Sequence, residues 1–133
     1  MRFEEIPEEE WSTFCESFSR QHHGWLVTVS EADSAALDYD VQSALSGERV
    51  LEAEQPLQSV KLERNRRTAI FVEVGEDERR TFTVEDVRRL WRVWVGEAHE
   101  GARVDDRKGR SLLVEFRAPA APEALDGLAA SER

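Results

Sequence analysis

The predicted strands of this chain carry apolar side chains on both of their faces. In the run 69–74 the residues alternate between two sides, and Phe71 points away from its apolar neighbours. In the run 111–116, the side chain of Leu113 likewise points to the face opposite that of its apolar neighbours. Because a single helix covers only part of a sheet, the rest must curl into a half-barrel, lie under the stretch 31–47 or meet another subunit.

One amphipathic helix precedes these strands. Apolar and histidine positions at helical spacing predict it over residues 7–23, where Pro7 suits the first turn and Gly24 suits a left-handed C-terminal cap. The stripe consists of Trp11, Phe14, Cys15, Phe18 and His22.

Alternation and β-prone composition predict the strands. They cover residues 25–29, 69–74, 80–84, 102–104 and 111–116, with a short or edge strand at 49–53 because Pro56 interrupts it. The segment 83–96 fits a helix and a strand equally well, and helical turns are expected near 40–46 and 122–126.

The predicted fold is therefore α+β. We expect an N-terminal helix packed on a curved antiparallel sheet of about five to seven strands, with a half-barrel as one way to close it. A single domain is expected over residues 1–130, followed by a frayed tail at 131–133.

Composition narrows the range of partners. The chain has 18 basic and 28 acidic residues and a net charge of −10, which argues against nucleic acid and anionic membranes as partners. Cys15 is the only cysteine, so no intramolecular disulfide can form. Neither a signal peptide nor a membrane span is recognisable, and we expect a cytoplasmic protein.

The N-terminal pattern resembles the opening of a small bacterial family that is known only as a domain of unknown function. The resemblance rests on Trp11, Phe14, the run 18–22 (Phe-Ser-Arg-Gln-His), the run 24–29 (Gly-Trp-Leu-Val-Thr-Val) and weaker matches at 56–57, 70–75, 112–119 and 122–128. It implies a strand at 90–95. It implies no catalytic residue, ligand or partner.

The chain shows no pattern typical of catalysis or of a metal site. Cys15 and His22 lie about 10 Å apart along the helix, too far to bind one ion together, and His23 points about 100° away from His22. Cys15 lies in the apolar stripe, where a thiol is usually inert. We predict no catalytic residue, no cofactor and no metal, and favour a protein that is not an enzyme.

Our first hypothesis is a protein-interaction module. As a strand, 90–95 would extend a face that bears Arg88, Leu90, Arg92 and Trp94, and tryptophan with arginine is typical of interface anchors. The partner would be another protein or a second copy of the chain.

Two alternatives remain open. A small-ligand binder or enzyme would use a pocket at the sheet edge lined by His22, Trp25 and Tyr39. Nucleic-acid binding would use three basic clusters, near 64–67, at 88–92 around Trp91 and Trp94, and at 107–110, but the acidity of the chain argues against it.

Overall fold

One antiparallel sheet dominates the computed structural model, which describes residues 1–39 and 48–116. Within those ranges the elements are β1 (Arg2–Glu5), a 3₁₀ turn (Glu8–Glu10), α1 (Trp11–His22), β2 (Leu26–Asp33), α2 (Ser34–Tyr39), β3 (Arg49–Arg64), β4 (Thr68–Val74), β5 (Arg80–Val84), β6 (Val87–Val95), β7 (Ala98–Asp106) and β8 (Arg110–Phe116). The strands lie in the order β1-β6-β7-β8-β2-β3-β4-β5. The predicted α+β class is confirmed, whereas the predicted number of strands is too low, since eight are present in the described residues.

The predicted helix is present, but the α-helix covers Trp11–His22, and Glu8–Glu10 form the 3₁₀ turn before it. Its apolar stripe is buried against the sheet, and the chain leaves the helix through Gly24 at a φ of 86°. The Ser19 hydroxyl fastens α1 to β3: it accepts a hydrogen bond from the Val60 N–H at 2.7 Å and lies 2.9 Å from the Val60 carbonyl oxygen. We call the side of the sheet that α1 covers the inner face.

The prediction of a short or edge strand around Pro56 is wrong about the length and right about the edge. β3 runs through this proline over 16 residues. Within the described residues, its part up to Pro56 pairs only with β2, and its part from Leu57 onward pairs only with β4. Irregular pairing accommodates it: the register shifts on both sides of Pro56, and Glu54 adopts a φ of 54°. A proline lacks the N–H that a regular ladder needs, and a bulge is where that loss is tolerated.

The ambiguous segment before Gly96 is a strand, β6, as the family resemblance implied. The strand that sequence reasoning missed is β1, three of whose four residues are charged. It pairs with β6, placing Arg2 opposite Trp94 and Glu5 opposite Trp91. The helical turns expected near 40–46 and 122–126, and the tail at 131–133, lie outside the described residues.

The sheet curls around α1. β4 comes within 8 Å of β6, and β5 within 8 Å of β7, measured between Cα atoms. Each pair is five positions apart in the strand order, which in a flat sheet corresponds to about 24 Å. Side chains from β2 to β8 and α1 therefore join one core on the inner face.

A second, smaller core lies on the opposite side, which we call the outer face. Ala32, Leu37, Val93 and Leu113 form it under α2, with Phe3 packed against them. Leu113 is thus covered within the chain, while Leu26 stays 46% exposed and belongs to neither core. The helix α2 therefore supplies part of the cover that one N-terminal helix could not give.

A buried arginine lies beneath α2. Arg103 is 0% exposed, and its Nε donates to Asp105 Oδ1 at 2.8 Å while Nη2 donates to Asp38 Oδ1 at 2.9 Å. Its guanidinium is also held between the rings of Phe3 and Trp91, at 4.7 and 4.8 Å from their centroids. Carboxylates and ring faces replace most of the water that the charge lost, and Nη1 is left without a hydrogen-bond partner among the described residues.

No helix in the described ranges is long and apolar enough to cross a membrane.

Candidate interaction surface

The four residues of the first predicted surface do not all reach solvent. Leu90 is 0% exposed and packs in the inner core, so a partner cannot touch it. Arg88 is exposed, and Arg92 and Trp94 are half-buried at the rim of the inner face. The register of β6 shifts after Val87 and after Val93, which breaks the regular alternation that the prediction assumed.

Trp94 belongs to a chain of aromatic rings. Its ring lies 5.4 Å from that of His99, which lies 5.9 Å from that of His22. His22 in turn contacts Phe116 at 4.3 Å and Trp25 at 4.8 Å. We call these five side chains the aromatic patch. It brings together Trp94 of the first predicted surface with His22 and Trp25 of the alternative pocket.

Four separate parts of the fold build the aromatic patch. His22 ends α1, Trp25 lies between α1 and β2, Phe116 ends β8, and Trp94 and His99 flank the turn between β6 and β7. They meet because β8 lies between β7 and β2 in the sheet. These chain ends therefore lie together at one end of the strands, on the inner face.

The aromatic patch has a buried floor and exposed ends. His22 and Phe116 are buried, whereas Trp25 is 48% exposed and Trp94 and His99 are half-buried. Leu26 and Val95, which follow the two tryptophans in the chain, are also exposed. A surface of this kind offers apolar area to a partner at each end.

Charged side chains border Trp94. The Arg2 guanidinium lies 5.3 Å from the centroid of the Trp94 ring, and the Trp94 Nε1–H donates to Glu4 Oε1 at 3.0 Å. Arg92 lies over the Phe14 ring at 5.2 Å and 3.9 Å from the Glu4 carboxylate. Although the protein is acidic, this border holds two guanidinium groups and one carboxylate.

The two histidines are held as neutral rings. Burial lowers the pKa of His22 and is also the largest cause of the lowered pKa of His99, which His22 and Arg92 lower further. Each ring has one nitrogen 2.9 Å from a backbone carbonyl oxygen, of Phe18 and of Gly101 respectively. Since a carbonyl only accepts, that nitrogen carries the proton and donates. At neutral pH the patch is therefore apolar and aromatic between its charged borders.

Tyr39 does not join His22 and Trp25. It is 93% exposed at the end of α2, whose Leu37 packs in the core of the outer face. His22 is closed in on the inner side by rings, including that of Phe18 at 4.8 Å. The three residues predicted to line one pocket thus lie on two sides of the sheet, and the predicted pocket is not formed by them.

Sequence reasoning did not assign His99 or Phe116 to the site. The pattern around Phe116 indicated only a buried strand, and no pattern in the sequence linked His99 to the other predicted site residues. The predicted hairpin could have brought them together. When β7 pairs with β8, a histidine at the start of the hairpin 98–116 and a phenylalanine at its end lie side by side.

The expected chemistry of Cys15 agrees with the structure, because burial raises the pKa of this thiol to about 12.

Four cations of the basic clusters are paired with acidic residues, and the other five have no ion pair among the described residues. Arg64 binds Glu8 at 3.1 Å, Arg67 binds Asp86 at 3.4 Å, and Arg110 binds Glu31 and Asp33, each at 2.9 Å. Among residues 1–39 and 48–116, no three His, Cys, Asp or Glu side chains are placed to hold a metal ion.

Searches against protein-family models, curated proteins and solved structures find no match to this chain. The resemblance to a bacterial family of unknown function therefore stays a prediction, and the site has to be interpreted from its own geometry.

Proposed function

We propose that this protein is a non-catalytic interaction module that binds a partner protein through the aromatic patch. The single observation that carries the proposal is the continuous row of rings between two tryptophans, Trp25 and Trp94, whose outer parts reach solvent. Tryptophan and arginine are the residue types that contribute most to binding at protein interfaces.

The patch and the residues that border it favour a partner surface with both carboxylates and apolar side chains. Arg2 and Arg92 can bind carboxylates of the partner, while the ring faces of Trp25 and Trp94 can bury its apolar side chains. Desolvation of such a surface releases water from rings that the monomer leaves partly wet. Among the described residues, no nucleophile or carboxylate makes a hydrogen bond with the ring of His22 or His99, so the geometry supports catalysis less than binding.

The proposal is tested by affinity capture from the source cells with the native chain and with Trp25→Ala and Trp94→Ala. Val50→Ala is the matched control, since Val50 is an exposed apolar residue at the other end of β2 and β3. We expect at least one protein that the native chain and the control retain equally, and that each tryptophan variant retains about ten-fold less, as for a loss of about 1.4 kcal/mol.

Circular dichroism melts of the purified variants must show that each one is folded. Equal retention by the native chain and both tryptophan variants would refute the proposal, and so would a native chain that retains nothing above the background of an unrelated bait.

A further inference from the structure

The sheet has two edge strands, and they differ in chemistry. β1 is short and carries three charged residues, a composition that discourages pairing with another strand. β5 reads Arg-Thr-Phe-Thr-Val, which is rich in residues that favour strands. It pairs only with β4, and no other hydrogen bond to its backbone is found in the described part of the chain. Every second residue of such an edge presents its N–H and C=O outward.

The residues around β5 can pair favourably with the same residues of a second copy that runs in the opposite direction. In an antiparallel pairing of two copies about a two-fold axis at Phe82, Thr81 lies opposite Thr83 of the second copy and Arg80 lies opposite its Val84. One position further out, Arg79 lies opposite Glu85 of the second copy. By symmetry, Glu85 of the first copy lies opposite Arg79 of the second, so the contact contains two such ion pairs. Between Arg79 and Glu85 no like charges face each other in this register, and threonine pairs are among the favourable cross-strand contacts.

The exposure of these residues agrees with such a contact. Arg79, Thr81, Thr83 and Glu85 are all exposed and alternate along one side of the strand, whereas Phe82 and Val84 point toward the inner core. Within the part of the chain that the structure describes, the ion pairs of Arg79 and Glu85 are long, 3.8 Å to Glu73 and 4.0 Å to Arg67. Exchanging those loose ion pairs for partners across the edge costs little.

We infer that β5 binds the β5 strand of a second copy of this chain, so that two sheets join into one continuous antiparallel sheet with Phe82 on the axis. This contact is distinct from the aromatic patch, since none of the five patch residues lies in β5 or in its neighbour β4. It uses backbone hydrogen bonds for affinity and the Arg79–Glu85 pairs for register.

The test is a charge exchange measured by sedimentation velocity over a concentration series. Native protein should form a dimer, and Arg79→Glu and Glu85→Arg should each weaken it about ten-fold because like charges then face each other twice. The double variant, Arg79→Glu with Glu85→Arg, should recover affinity to within about three-fold of native. Arg88→Glu, an exposed reversal outside β5, is the matched control and should leave the dimer unchanged.

Amide hydrogen exchange gives a second readout, since the outward N–H groups of β5 should exchange more slowly as the dimer forms. A native chain that stays monomeric throughout, single reversals without effect, or a double variant no better than the single ones would each overturn the inference. Trp94→Ala should leave the dimer intact, so failure at β5 and failure at the aromatic patch are distinguished.

Discussion

Replacement of Arg103 by methionine tests the account of the outer face most directly. The variant keeps much of the length of the side chain but removes the charge that faces Asp105, which is only 3% exposed. Removing one partner of a buried ion pair costs about 3–5 kcal/mol, because the remaining charge has lost its compensation. Asp105 keeps the Ser111 hydroxyl at 2.6 Å and the Trp91 Nε1–H at 2.9 Å, so we expect the lower end, about 3 kcal/mol.

Urea unfolding followed by circular dichroism measures this loss. With a slope of about 1.5 kcal/mol per molar urea, a loss of about 3 kcal/mol lowers the midpoint by about 2 M. Arg110→Met is the matched control, because Arg110 is exposed and its ion pairs with Glu31 and Asp33 should contribute less than about 1 kcal/mol.

A double variant separates the lost charge pair from lost packing. Arg103→Met combined with Asp105→Asn removes both charges, and the amide oxygen that remains can still accept a hydrogen bond from Ser111 or Trp91. We expect the double variant to regain at least half of the free energy of unfolding that the single variant loses. If Arg103→Met cost no more than Arg110→Met, or if the second substitution gave no recovery, the account of Arg103 as a compensated buried charge would be wrong.

Two further predictions concern single titratable groups. Burial, together with the Glu48 and Glu100 carboxylates, raises the pKa of Glu115 from 4.5 to about 7. The folded state therefore binds this proton more tightly than the unfolded state, and its stabilising effect is complete below pH 4.5 and is lost as the pH rises through 7. Glu115→Gln should remove that dependence, so its free energy of unfolding relative to the native chain should be about 1–3 kcal/mol more favourable at pH 8 than at pH 4.5; an equal difference at the two pH values would contradict this. Cys15, whose pKa burial raises to about 12, should resist a thiol-specific reagent at pH 8 in the folded protein and react fully in urea, whereas prompt reaction in buffer would show that the thiol is accessible.

Local patterns in the sequence predicted most of the elements. The stripe from Trp11 to His22 has the period of a helix, and the alternation in 69–74 and 111–116 has the period of a strand, so each could be identified without its partners. These signals are local because each side chain reports only which way its own position faces the core.

The remaining features depend on pairing between distant segments. β1 has the composition of a surface loop and becomes a strand only because β6 lies beside it. β3 continues past Pro56 because β2 pairs with the part before it and β4 with the part after it. The strand propensity of a segment carries no information about which other segment will lie beside it.

The candidate site shows the same division. The sequence alone singled out Trp94 for an interaction surface and His22 and Trp25 for a pocket, and it predicted that a sheet with two apolar faces needs more cover than one helix. Only the tertiary structure decided that β8 lies between β7 and β2, which brings Trp94, His99, His22 and Trp25 into one row and sends Tyr39 to the other face. Strand order is set by the summed packing of the whole core, and no single stretch of residues carries that information.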